Sequence, residues 1–285
     1  MKKYVMVAVT FALAAAGGAW AGLGSVISSF NIPPPNSEGD THGVYCEGGY
    51  VYFVSDNHTY PYTTRKSYTL KYTPAGSFVS STPLNFSVSF QNFGPSACDA
   101  SHLGAGYFFV SGGYLTDGSG VYRMDTGALV QEFYMIIDDT CWEGAYYYFA
   151  PDSTGKVPRL TPAGEQSYIQ LNGWPAYGGI GAAYATAVGG VNGHYLVSSV
   201  YAYGGSSTGY YANLDNLDVV GSFPLPYGYF NIGYGPGYPP SYGTTLWASY
   251  TGMTGPALCY QIDLGNGNLE RLAPASFGKI KAIYR

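Results

Sequence analysis

Charge is scarce in this 285-residue chain: Asp, Glu, Lys and Arg make up only 10% of it, with 17 acidic against 12 basic side chains. That deficit of positive charge argues against nucleic acid and anionic membranes as partners, because both require a basic footprint. Histidine is limited to four residues, His42, His58, His102 and His194. A zinc site or a histidine-based lyase would need at least two of them to converge. Cysteine also numbers four, at Cys46, Cys98, Cys141 and Cys259. These wide gaps exclude a zinc ribbon and a CxxC redox pair. Three pairings are open to four cysteines, and they can equally stay reduced as small buried hydrophobes. No segment of the mature chain keeps a helical period, which removes the all-α and doubly wound classes. No G-x-S-x-G elbow and no phosphate loop is present, so an α/β-hydrolase or nucleotide-binding fold has no anchor.

Long apolar runs are missing too, apart from the first residues. Lys2 and Lys3 precede an apolar stretch from Tyr4 to Ala16, and Ala19-Trp20-Ala21 supplies a small-x-small cleavage pattern. Residues 1–21 read as a signal peptide. The mature chain, 22–285, is expected to be a single domain, secreted or held in a periplasm or at a cell surface. No membrane insertion is expected, since no other apolar run reaches spanning length.

What is abundant is 41 glycines and 31 tyrosines. Tyrosine suits strands and half-buried surfaces, and glycine with proline supplies turns. The order of these residues repeats. "YCEGGYVYFVSD" (45–56) aligns with "CWEGAYYYFAPD" (141–152), and "LKYTPAGSFVSSTPL" (70–84) aligns with "PRLTPAGEQSYIQL" (158–171). Weaker copies start at "AGYFFVSGG" (105–113), "NGHYLVSSVYAYG" (192–204) and "GTTLWASYTG" (243–252). Each unit holds four strand-like pieces and closes with a hairpin turn, TPAG, DTG, DN or GNGN. These turns recur roughly every 36 to 54 residues, the period and strand count of a β-propeller blade. The fold class is therefore all-β, a β-propeller of five or six four-stranded blades. "GSVISSFNIP" (24–33) reads as a stray fourth strand and "FGKIKAIYR" (277–285) as a stray first strand. Either five blades close and the strays are additions, or both termini build a sixth. The small-residue run "GGIGAAYATAVGG" reads as an inner strand beside the crowded axis.

The acidic-Gly turn, the "Y-[VY]-Y-F-x-x-D" strand and the "TPAG" hairpin resemble those of secreted bacterial β-propeller repeat proteins, NHL- and YncE-like in style. The resemblance covers nearly the whole mature chain. It implies a fold and carries over no catalytic residue.

Two sets of residues could carry function. The first is catalytic: Glu47, Asp99, Asp139 and Glu143, with His102, as the acids of a propeller glycosidase or lyase. Such chemistry needs two carboxylates about 5–10 Å apart across a sugar, drawn from at least two blades and meeting in the central funnel. The alternative for these acids is turn capping, since Glu143 repeats the position of Glu47. The second set is a binding surface: Trp174, Tyr227, Tyr229, Tyr234, Tyr238 and Tyr242, with 227–242 expected to be an irregular loop. Tyrosines in rigid loops offer adaptable contacts at low entropic cost. The leading expectation is a non-catalytic extracellular module that recognises a polysaccharide or a protein with these rings on one face. A self-assembling surface or filament subunit is a third reading. No cofactor or metal is expected. Calcium at the short loops "DNHTY" or "YLTDGSG" is the exception the sequence permits.

Overall fold

The computed structural model describes residues 22–32, 39–58, 65–87, 96–97, 101–111, 119–133, 139–201, 207–226, 228, 230–250 and 257–267. The 1–21 segment, the 277–285 segment, Cys98, Asp99, Tyr227 and Tyr229 lie outside them. Among the described residues no helix is long and apolar enough to cross a membrane.

Twenty strands form five four-stranded antiparallel sheets. Blade 1 contains β2 (Gly39–Glu47), β3 (Tyr50–His58), β4 (Arg65–Tyr72) and β5 (Phe78–Ser87). Blade 2 contains β6 (Ser96–Ala97), β7 (Tyr107–Ser111), β8 (Ser119–Arg123) and β9 (Leu129–Phe133). Blade 3 contains β10 (Thr140–Trp142), β11 (Tyr147–Phe149), β12 (Lys156–Leu160) and β13 (Gln166–Gln170). Blade 4 contains β14 (Gly179–Val188), β15 (Val191–Tyr201), β16 (Ser207–Asn213) and β17 (Val219–Pro224). Blade 5 takes β18 (Phe230–Pro236), β19 (Thr244–Tyr250) and β20 (Ala257–Asp263) from the end of the chain and β1 (Val26–Ile32) from its start. The pairing of β1 with β20, from Val26 opposite Ile262 to Ile32 opposite Ala257, joins the two ends of the ring. The "GSVISSFNIP" stretch is thus a fourth strand, as its pattern implies, and it completes the fifth blade.

Five hydrophobic clusters, one in each seam between neighbouring blades, fix the blade number at five. Tyr45 and Val54 meet Phe108 and Tyr122 between blades 1 and 2. Phe109 and Phe133 meet Tyr147 and Phe149 between blades 2 and 3. Cys141 and Tyr148 meet Ala182 and Leu196 between blades 3 and 4. Ala183 and Val197 meet Phe230 and Ile232 between blades 4 and 5. Ile32 and Trp247 meet Phe53 and Tyr72 between blades 5 and 1. Every blade buries both faces, so successive residues of one strand feed opposite seams. Tyr147 and Phe149 point one way and Tyr148 the other. That is why the central strands read as continuous aromatic runs instead of alternating with polar residues.

The repeated TPAG turns are also the same in detail. In each, the Thr hydroxyl accepts the N–H four residues on, Ser77 to Thr73 and Glu165 to Thr161, both at 3.0 Å. Gly76 and Gly164 adopt nearly equal positive φ values of 86° and 87°, a region that favours glycine.

Near the axis the inner strands approach closely. A Cβ on Gly181 would stand 2.6 Å from the Phe230 carbonyl oxygen, and one on Gly235 would collide with Cys46. This crowding corrects one sequence expectation. Residues 230–236 are not part of an irregular loop but form the inner strand β18, paired with β19 from Phe230–Tyr250 to Pro236–Thr244. Gly233, Gly235 and Pro236 make the segment read as a turn, whereas the axis requires small residues there.

Cys141 and Cys259 are buried on β10 and β20, Cys46 is half-buried on β2, and no disulfide joins any of these three to another. Burial pushes the Cys259 thiol well above its ordinary value.

Candidate functional site

The acids of the catalytic set are dispersed. Asp139 is fully buried on the inner wall, just ahead of β10. Its Oδ2 accepts the N–H of Ala182 at 3.2 Å and of Ile232 at 2.9 Å. One carboxylate oxygen from blade 3 therefore ties the inner strands of blades 4 and 5, as a charge-assisted acceptor for two donors. Glu47 stands on the β2–β3 turn, where Oε1 accepts the Gly106 N–H of blade 2 at 2.7 Å. Glu143 occupies the equivalent β10–β11 turn, and its N–H donates to the Tyr146 carbonyl. His102 lies in the blade 2–3 seam: Nδ1 is 2.8 Å from the Tyr147 hydroxyl, and its ring meets Trp142 and Tyr147 edge-on. Burial lowers its imidazole below the ordinary value. His194 instead meets Tyr184 edge-on in blade 4, with Asp215 4.0 Å away. The described acids and these two histidines do not share one funnel.

The aromatic set is divided as well. The inner strands run in the same direction round the ring, since Gly181 adjoins Phe230 and Thr186 meets Tyr234. Trp174 lies in the link that leads into β14, at the starting end of the inner strands. Tyr238 and Tyr242 follow β18, at the finishing end. Seven residues of strand, roughly 20 Å, separate these ends, so Trp174 does not share a face with Tyr238 and Tyr242, and Tyr227 and Tyr229 lie outside the described residues. Trp174 is also engaged: its indole N–H donates to the Tyr177 carbonyl at 2.9 Å and its ring rests on Tyr210. The Tyr234 hydroxyl donates to Thr244 Oγ1 at 2.7 Å and meets Thr186 Oγ1 at 3.1 Å. Tyr242 is half-buried, while Tyr238 is 45% exposed.

What the structure does bring together is a cleft of about 490 Å³ at the finishing end of the inner strands, between blades 1 and 2. Glu47, Tyr50, Tyr52 and Lys71 line it from blade 1, and Met124 and Asp125 from the β8–β9 turn of blade 2. The hydroxyls of Thr69, Ser80 and Thr82 complete its floor. Tyr52 stacks on Tyr45 at 4.9 Å and 11°, and Tyr45 stacks on Phe108 at 5.3 Å and 8°. This column of rings ties the cleft wall to the seam core, so the wall is held rigid. The Lys71 ammonium sits 3.7 Å from the centre of the Tyr50 ring, a cation–π contact. Arg123 grips Asp125 through two bonds, Nε to Oδ1 at 3.0 Å and Nη2 to Oδ2 at 2.6 Å, and holds that carboxyl below its ordinary value.

Aromatic faces beside hydroxyls and carboxylates suit a ring that is apolar on its C–H face and studded with hydroxyls at its edge, which is the chemistry of a neutral sugar. The sequence reading missed this cleft, although Glu47 was in view and the repeat offered a signal. Lys71 pairs opposite Tyr52 as Arg159 pairs opposite Tyr148. Among the described residues no group of three or more His, Cys, Asp or Glu side chains could hold a metal ion. Asp56, Asn57 and His58 of "DNHTY" end strand β3, while Thr59, Tyr60 and residues 114–118 of "YLTDGSG" lie outside the described residues.

No family model matches the chain, and no curated protein matches it. Solved structures do resemble it in fold. Regucalcin, a calcium-binding protein from Agrobacterium tumefaciens, is 12% identical with a TM-score of 0.45, over 84% of this chain and 94% of that one. Virginiamycin B lyase from Staphylococcus aureus is 9% identical with a TM-score of 0.41, over 83% and 99%. The tail fibre of Staphylococcus aureus phage P68 is 8% identical with a TM-score of 0.41, over 90% of this chain and 55% of the fibre, so the chain spans about half the fibre's length. These are likenesses of fold alone.

Proposed function

We propose that the chain is an exported, non-catalytic binding module that takes a neutral polysaccharide segment into the cleft between blades 1 and 2. The observation that carries this reading is the rigid wall of Tyr50 and Tyr52 set among Glu47, Lys71, Asp125 and three hydroxyls. Preformed walls lose little entropy on binding. Hydrolysis fits less well. A glycosidase acid needs a raised pKa, whereas Arg123 holds Asp125 below its ordinary value. Asp139, the acid on the inner wall, accepts two backbone donors.

The test is a glycan array on the purified mature chain, with and without calcium, followed by mass analysis of any ligand for cleavage. Binding without product is expected, and Tyr50→Ala should weaken it by about tenfold or more. Cleaved product, or a hit indifferent to Tyr50→Ala, would overturn the reading.

The outer strands support a second reading, self-assembly. They present Phe78, Val79, Val130 and Val220, each 45–57% exposed, along sheet edges able to pair with another chain. Sedimentation that shifts with concentration would favour it.

A further inference from the structure

The cleft between blades 1 and 2 has a counterpart two blades further round. Glu143 repeats Glu47 on its turn, Tyr146 and Tyr148 repeat Tyr50 and Tyr52, and Arg159 repeats Lys71. The correspondence extends to geometry. Arg159 lies 4.2 Å from the Tyr146 ring centre, as Lys71 lies 3.7 Å from Tyr50. Arg159 pairs opposite Tyr148 in the sheet, as Lys71 pairs opposite Tyr52. The following blade contributes an acid from the equivalent hairpin turn in both places, Asp125 before β9 and Asp215 before β17.

The two places differ in how the glutamate is used. Glu47 accepts the Gly106 N–H of the next blade. Glu143 has no such partner: its Oε2 is removed from water and takes no hydrogen bond. A carboxylate oxygen in that state is an unmet acceptor under cover, which a donor hydroxyl satisfies only when the side chains over it part. Its neighbours come from blade 4. Burial first, then the charges of Glu143 and Asp215, raise the Tyr184 hydroxyl above its ordinary value, so that phenol stays a proton donor. His194 stands edge-on to Tyr184 and 4.0 Å from Asp215, largely exposed. Aromatic rings, a phenol, an imidazole and two carboxylates here repeat the chemistry of the first cleft with more hydrogen-bonding capacity.

We infer that the seam between blades 3 and 4 is a second neutral-saccharide site, built by Glu143, Tyr146, Arg159, Tyr184, His194 and Asp215. The inference rests on the reading of the first cleft. Both sets of residues stand at the finishing end of the inner strands, so one ring presents them on the same face. A polysaccharide with repeated units can then engage both, and the second contact becomes intramolecular.

The test is isothermal titration of the full mature chain with three neutral probes: cellotetraose, mannotetraose and galactotetraose. The expected result is two equivalents per chain for the probe that binds. Glu143→Gln, or the exposed turn variant Asp215→Asn, should reduce this to one equivalent, with the remaining site within about twofold of its wild-type affinity. Tyr50→Ala should remove the other equivalent. Circular dichroism and the urea midpoint check that each variant is folded. One equivalent in the wild type, lost with Tyr50→Ala and untouched by Glu143→Gln, would overturn this inference and leave the first cleft standing. No binding of any probe would overturn both.

Discussion

Asp139 and Glu143 belong to the same short stretch, "DDTCWEG", yet one faces the inner wall of the ring and the other a turn at its rim. On the wall the carboxylate is saturated, with one oxygen accepting donors from two other blades. On the rim the carboxylate keeps an oxygen with no donor. The two acids flank the inner strand β10, Asp139 ahead of it and Glu143 after it, so they stand at opposite ends of the ring. The axis is where inner strands converge, so a short side chain there reaches several backbones. The turn at the other end of β10 brings no such donor to Glu143 Oε2, which is buried with its hydrogen bond unmet.

Three measurements would break or sharpen this contrast. The largest effect is expected at the wall. Asp139→Ala strands two buried N–H groups on separate blades and should cost on the order of 3 kcal/mol, read as a lowered urea midpoint. A cost near zero would mean that the wall carboxylate is not a tie. At the rim, Glu47→Ala removes a single bond to Gly106 and should cost about 1 kcal/mol while weakening saccharide binding. A rim cost as large as the wall cost would erase the distinction. The smallest effect concerns pH. Burial lowers the His102 imidazole, so the unfolded chain takes up a proton at a higher pH than the folded one does. The folded state should therefore lose stability as pH falls from about 7 through the ordinary histidine value of about 6.5. His102→Asn should reduce the drop in urea midpoint between pH 7.5 and 5.5. An equal drop in both proteins would remove His102 from the balance.

The repeat made the fold readable. Glu-Gly turns and TPAG hairpins are local, and their backbone needs are written in adjacent residues. The closing strand was readable for the same reason, because Val26–Ile32 carries the outer-strand pattern. β18 was not, because Gly235 answers to Cys46 on β2, far away in sequence. Asp139 was noticed as an acid, but its partners lie 43 and 93 residues downstream, beyond any local motif. The repetition of the cleft residues was hidden by unequal connections. Lys71 follows Glu47 across a longer link than the one between Glu143 and Arg159, so the matching cations do not fall at a common spacing. The separation of Trp174 from Tyr238 and Tyr242 was not readable, because composition marks residues as ring-bearing without saying at which end of a blade they stand.

Completion of blade 5 by β1 has a kinetic consequence. Strand β1 leaves the ribosome long before its partner β20, since Val26 pairs with Ile262. Until they meet, the fifth blade has only three strands and its free edge can pair with another chain. Closure across so long a span is slow by its topology. Folding of this ring is therefore a race between joining its own ends and joining those of a neighbour, and dilution favours the first outcome.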